Sequence, residues 1–264
     1  MPAKNTLQNP LRNLGKGLLS FAFYMGALVI LAKQTVQVLV QDRTQAKDIL
    51  RQFKEIGVRT LPLTNLIGLF TGMVLALQLI VGLKRFGLSM YSGQVVGIAI
   101  TRELGPVLTA LMVAARVGAG IASELGSMTV SEQVLAIRAM GGNPIAKLVV
   151  PRVLVTTLAT PILTVVAIFI GIFGGMMMSN VELGLSPQYY LDQIRGTVEI
   201  YDFTSGVAKT LFFGFTIGII ACHQGLTATG GTNGVGQATT KSVVYGAIAI
   251  FTLDFFLTKL FLFF

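Results

Sequence analysis

One cysteine, one histidine and a charged fraction of only 12% narrow the chemistry of this 264-residue chain before any motif is sought. Cys222 alone cannot form an internal disulfide, and its apolar neighbours give the thiol no activating charge. His223 has no Cys, His or carboxylate cluster around it in the sequence, which argues against a metal site. No Ser-His-Asp arrangement can be assembled either. The chain also lacks a G-x-x-x-x-G-K-[ST] phosphate loop, and with it that route to ATP hydrolysis. The run Gly230-Gly-Thr-Asn-Gly-Val-Gly236 has neither the lysine nor a preceding strand, and reads as a flexible cytoplasmic turn between spans. An ordinary soluble domain carries roughly 25% charge. At 12% charged and 53% hydrophobic, this chain cannot cover a water-facing surface. Lipid is the solvent its composition requires.

The apolar residues fall in blocks rather than at the spacing of a half-buried soluble helix. A spanning helix needs about 20 mainly apolar residues, and five stretches qualify: 62–82, 95–116, 149–178, 204–224 and 242–263. The expected fold is an all-α integral membrane protein, with a 1–60 interfacial segment followed by a 61–264 transmembrane domain. Pro161, in the middle of the third span, predicts a kink. Gly17 to Ala32 is apolar too, but at 1.5 Å per residue it covers only about 24 Å of a roughly 30 Å core. Basic residues flank it on both sides, so it reads as an in-plane amphipathic helix. No small-residue cleavage site follows this run, so it is not read as a removable signal peptide.

The formal net charge of +9 raises nucleic acid as a partner class, but its distribution excludes that reading. Nine of the 20 Lys and Arg residues (Lys4, Arg12, Lys16, Lys33, Arg43, Lys47, Arg51, Lys54 and Arg59) lie in the first 60. This is the pattern of a cytoplasmic flank beside anionic lipid. With the amino terminus inside, Arg138, Lys147 and Arg152 also fall in the cytoplasm. The acidic segment bearing Glu182, Asp192, Glu199 and Asp202 then falls outside, together with the carboxyl terminus at Phe264. Lys84-Arg85 is the exception to the rule.

Ionisable side chains within spans are functional candidates by default, because burying them in hydrocarbon is costly. Arg102 and Glu103 lie within the second span, ahead of Gly105-Pro106. Adjacent helical residues sit about 100° apart, so at least one of the pair must seek another partner or water. Two readings stand side by side: the polar wall of a substrate cavity, or a neutralised pair that fixes helix packing. Lys209 lies one to two turns inside the fourth span and can snorkel outward. Asp254 and Lys259 are close enough to pair loosely. Small-xxx-small pairs at Gly68/Gly72, Gly93/Gly97, Gly171/Gly175 and Gly214/Gly218 predict close helix packing.

Between the second and third spans, residues 131–141 read as a short cytoplasmic amphipathic helix. Ser131 or Thr129 can cap it, Val134, Leu135, Ile137 and Met140 form its stripe, and Gly141 ends it ahead of Pro144. Glu132, Gly141-Gly-Asn-Pro144 and Pro151 resemble the coupling loop of ABC transporter permeases. Thr101-Arg-Glu-Leu-Gly-Pro-Val-Leu108, Ala115-Arg-Val-Gly-Ala-Gly120, Glu124-Leu-Gly126, Glu132-Gln133 and Ala238-Thr-Thr-Lys241 resemble, more closely, the MlaE/YrbE permease family. The resemblance runs from about residue 60 to the end, and the residues after Gly225 depart from the family pattern.

The resemblance implies a homodimeric inner-membrane permease moving phospholipid between inner and outer membranes. Two cytoplasmic ATPase subunits and a periplasmic MCE-domain oligomer would be its partners, with ATP bound on the ATPase and no cofactor on this chain. It further implies Arg102, Glu103, Lys209 and Lys241 as lipid-cavity residues. Glu132, Gln133, Leu135, Arg138 and Gly141 would transmit ATPase closure. The competing class is a secondary transporter, which would carry its own ion-coupling groups and often shows internal repeats; neither is found. A lipid-modifying enzyme would need a convergent acid, base or nucleophile, and Glu103 alone is a candidate.

Overall fold

The structure, a computed structural model, describes residues 8–41, 46–261 and 263. Lys4, Arg43 and Phe264 lie outside the described residues, as do the side chains of Arg12 and Lys47. Every regular element among the described residues is helical. Helix α1 (Gln8–Gln41) precedes α2 (Ala46–Phe53), which runs through a π-helical turn, Lys54–Val58, into α3 (Leu61–Lys84). The next long rod joins α4 (Ser92–Ala99), α5 (Gly105–Val113) and α6 (Ala119–Val130) through π-helical turns at Ile100–Leu104 and Ala114–Gly118. Short α7 (Gln133–Ala139) and a further π-helical turn, Ile145–Val149, lead into α8 (Val150–Leu183). Helices α9 (Pro187–Thr197), α10 (Ile200–Leu226) and α11 (Gly231–Phe261) complete the bundle.

Among the described residues, six helical runs are long and apolar enough to cross a membrane, against the five expected. The additional one lies in α1, where the apolar stretch Gly17–Ala32 is the middle of a 34-residue helix about 51 Å long. The length argument against a crossing therefore lapses. Lys33 and Gln34 are exposed on this helix, and a polar residue on a free face does not stop a helix. Only 6% of its apolar window is buried, the smallest share of the six, so it lies at the edge of the bundle.

Helix α8 is the central element, packed against both α3 and α10. The small-residue pairs make this approach possible. A Cβ on Gly72 would collide with the carbonyl of Gly171, and one on Gly68 would come within 2.9 Å of Ala167 O. Thr156, Thr160 and Thr164 are buried along α8, and each hydroxyl donates to the carbonyl four residues back. Helix α8 runs unbroken through Pro161. The segment 49–60 belongs to the packed bundle, since Ile56 and Thr60 are buried and α2 packs on α8.

The rods Ser89–Val130 and Ile145–Leu183 have 42 and 39 residues, well beyond the roughly 20 that a bilayer core requires. Short α7 joins their adjoining ends. The glycine-rich turn is shorter than expected. Gly230 and Gly231 take positive φ (91° and 67°), but α11 starts at Gly231, so Thr232–Gly236 is helix.

Candidate functional site

Four of the charged residues inside the spans, Arg102, Glu103, Lys209 and Asp254, converge. Arg102 and Glu103 sit in the π-helical turn Ile100–Leu104 and diverge, as adjacent helical residues must. Arg102 Nε donates to Asp202 Oδ1 at 2.7 Å, at the start of α10. Glu103 Oε1 lies 2.9 Å from Lys209 Nζ, two turns along the same helix. Lys209 also reaches Asp254 Oδ1 at 3.3 Å and donates to Thr258 Oγ1 at 2.6 Å, both on α11. The Thr258 hydroxyl donates in turn to Glu103 at 3.2 Å. Two carboxylates and a hydroxyl, from the π-helical turn and α11, thus close around one α10 ammonium that is only 3% exposed.

Local sequence explains how the hub is built. Pro106 has no N–H to offer the carbonyl of Arg102 four residues back, and Lys209 Nζ donates to that oxygen at 3.1 Å. Gly206 admits the close approach of α10, because a Cβ there would strike the carbonyl of Thr101. Asp202, 2% exposed, has two roles. Its Oδ2 accepts the Glu199 N–H at 3.0 Å, completing a reciprocal capping box at the start of α10, while Oδ1 holds Arg102.

Lys209 does not snorkel; it is the buried centre. Asp254 pairs with Lys209 rather than with Lys259. Asp202 and Thr258 escape the sequence reading as site residues, although the Glu199…Asp202 spacing of a capping box is visible in it. Lys241 is exposed on α11, 13 residues before Asp254. That is about 20 Å along the helix, so Lys241 does not join the cluster. Arg102, Glu103, Asp202, Lys209 and Thr258 line a cleft of about 280 Å³ bounded also by Ile98, Tyr201 and Phe261. Its outer edge is tied by Tyr201 Oη donating to Phe261 O at 2.7 Å. The cleft carries paired positive and negative groups with apolar side chains beside them, so it suits a zwitterionic head on an apolar body. His223 instead meets the ring of Tyr24, centroids 5.2 Å apart, away from this site.

At the opposite end of the bundle, α7 splits its apolar stripe. Val134 and Ile137 pack inward, whereas Leu135 and Met140 are exposed, as are Glu132, Gln133 and Arg138. The boundaries are tighter than 131–141. Helix α6 runs to Val130, so Thr129 and Ser131 donate back to Leu125 O and Ser127 O and do not cap α7. Glu132 occupies the cap position with φ 60°. Gly141 ends the helix as expected, with φ 78°. Its N–H bonds Arg138 O, and that of Gly142 bonds Ile137 O, forming a Schellman motif.

Residues 49–260 match the family model described as Permease MlaE. The chain belongs to the MlaE permease family. It is 37% identical over 255 residues to a "Probable ABC transporter permease protein" of Rickettsia felis, covering 97% of this chain and 98% of that one. The "Intermembrane phospholipid transport system permease protein MlaE" of Haemophilus influenzae is 32% identical over 248 residues, 94% of this chain and 95% of that one. "Protein TRIGALACTOSYLDIACYLGLYCEROL 1, chloroplastic" of Arabidopsis thaliana is 35% identical over 232 residues, 88% of this chain and 66% of that one. As an MlaE-family permease this chain is a membrane transport subunit rather than an enzyme.

Proposed function

We propose that this permease carries phospholipid between the inner and outer membranes, driven by ATP hydrolysis on a separate subunit. The observation that carries the reading is the cleft at Arg102, Glu103, Asp202, Lys209 and Thr258, where paired charges, Asp202 and Lys209 buried among them, border apolar surface inside a membrane bundle. The printed name of the Haemophilus relative supports phospholipid as the cargo class. A cleft of about 280 Å³ takes a headgroup and not the acyl chains. A second copy of the chain closing over it would complete the cavity, as the family resemblance implies. Leu135 and Met140, exposed on α7 at the far end, supply apolar contacts for one ATPase subunit on each copy. A periplasmic MCE-domain oligomer would meet the end bearing α9. The clustering of Lys and Arg near α7 supports a cytoplasmic placement of that end, with the amino terminus inside and the carboxyl terminus in the periplasm.

Reconstitution of the complex into donor vesicles, with labelled phospholipid followed into acceptor vesicles, tests the reading. Glu103→Arg is expected to abolish lipid transfer while the complex still assembles. Transfer at the wild-type rate would reduce the cluster to a packing device. Purified complex that contains no ATPase subunit would remove the ATP-driven reading.

A further inference from the structure

A second and larger cavity, about 640 Å³, opens at the α7 end of the bundle. Its walls are the turn after α2, the junction of α5 with α6, and the approach to α8. Arg51, Arg59, Arg116, Lys147 and Arg152 line it against Glu55 and Glu124, five cations to two carboxylates and a formal balance of +3. Each wall contains one of the π-helical turns, Lys54–Val58, Ala114–Gly118 or Ile145–Val149. Such turns are rare and concentrate at functional sites, because the extra residue redirects side chains that a regular helix would send elsewhere. Here they carry Arg116 and Lys147 to the same concavity.

Both carboxylates are already engaged. Glu55 pairs with Arg59, and Glu124 with Arg152 at 2.9 Å. Arg152 is 5% exposed and also donates to Leu148 O at 2.6 Å, so its guanidinium is held in place. Among the described residues, no carboxylate lies within 4.0 Å of Arg116 or Lys147. Cytoplasmic flanks of membrane helices are in general enriched in Lys and Arg. Five that converge on one hollow, with Ile56, Val117 and Leu148 among its lining, form a recognition feature. Guanidinium and ammonium groups in such a hollow match the oxygens of a phosphate, by fork geometry and by point charge respectively.

We propose that this cavity binds a phosphate group, as an anion site separate from the cleft at Arg102. Arg116 follows Arg102 by 14 residues, about 21 Å along the rod, so one phosphate cannot serve both. The apolar lining favours a phosphate attached to an apolar body, the headgroup of an anionic phospholipid in the leaflet on the α7 side. The site stands whether or not lipid is the transported cargo.

The test titrates the purified transporter complex in detergent with fluorescent phosphatidylglycerol, using inorganic phosphate as competitor. The proteins compared are wild type, Arg116→Gln with Lys147→Gln, and Arg102→Gln. Both substituted positions at the cavity are exposed, and matching thermal midpoints establish that the double variant is folded. One binding component is expected to weaken about tenfold or more for each charge removed, because a hydrogen bond to a charged group is lost. Arg102→Gln should leave that component in place. Displacement of the probe by millimolar inorganic phosphate would keep the phosphate site and assign free phosphate as its occupant. Unchanged binding of lipid and phosphate by the folded double variant would overturn the proposal. Loss of every component in Arg102→Gln would overturn the separation into two sites.

Discussion

Lys209 and Glu103 stand 106 positions apart in the chain, yet their side chains meet at 2.9 Å with the ammonium almost wholly enclosed. The contact joins α10 to the π-helical turn before α5, and through Asp254 it brings in α11. Lys209→Met would leave two carboxylates facing each other with no cation between them. Breaking a buried pair by removing one partner costs about 3 kcal/mol or more, so the thermal midpoint in detergent should fall sharply. Adding Glu103→Gln and Asp254→Asn should restore much of it, since the uncompensated charge is then gone. A triple variant no more stable than Lys209→Met would show that the lysine acts through packing alone.

Asp202 separates two effects that its substitutions can tell apart. Asp202→Asn retains an oxygen able to accept the Glu199 N–H but loses the charge that holds Arg102. Asp202→Ala loses both, and the missing N3 half of the capping box alone costs about 1 kcal/mol. Amide exchange at residues 199–203 should therefore quicken in Asp202→Ala and stay near wild type in Asp202→Asn. Lipid transfer should decline in both. Equal exchange in the two variants would dismiss the capping role.

The hub was half legible in the sequence for a physical reason. Arg102 and Glu103 stand out because charge within an apolar run is costly, and their divergence follows from helix geometry. Their partners lie about a hundred residues away, and no periodicity encodes which faces of two distant helices meet. The spans α3, α8 and α10 were readable because their apolar runs end at polar or glycine-rich segments. Helix α1 was underestimated, since Lys33 read as the start of a basic flank although it sits on an exposed face of the same helix. The run after Gly231 was taken for a turn because glycine composition suggests one, whereas a glycine-rich segment can still continue as a helix.

Helix α7 offers a contrast between its two faces. Leu135→Ser and Met140→Ser alter exposed side chains and should change stability by no more than about 0.5 kcal/mol. ATPase stimulation by lipid in the assembled complex should nevertheless fall. Val134→Ser and Ile137→Ser remove packed side chains and should lower the melting point of the permease itself. Gly141→Ala places a Cβ at φ 78°, where it costs about 1 kcal/mol and loosens the end of the helix. Undiminished ATPase coupling in Leu135→Ser with Met140→Ser would move the docking surface elsewhere.

Gly206 tests whether the cluster depends on helix spacing as well as on charge. No charged group changes in Gly206→Ala, yet the new methyl would meet the carbonyl of Thr101 and force α10 away from the π-helical turn. Lys209 lies three residues further along α10, so its bonds to Arg102 O and Glu103 would lengthen with that shift. Hydrogen bonds weaken steeply once stretched, so transfer should fall several-fold in a protein that still folds and keeps every ionisable residue. Gly82→Ala provides the control, because nothing lies within 4 Å of its Cβ position and the helix there should gain slightly from alanine. If Gly206→Ala transports as well as Gly82→Ala, α10 has enough play to absorb a methyl, and the tight seating of Lys209 is not what transport requires.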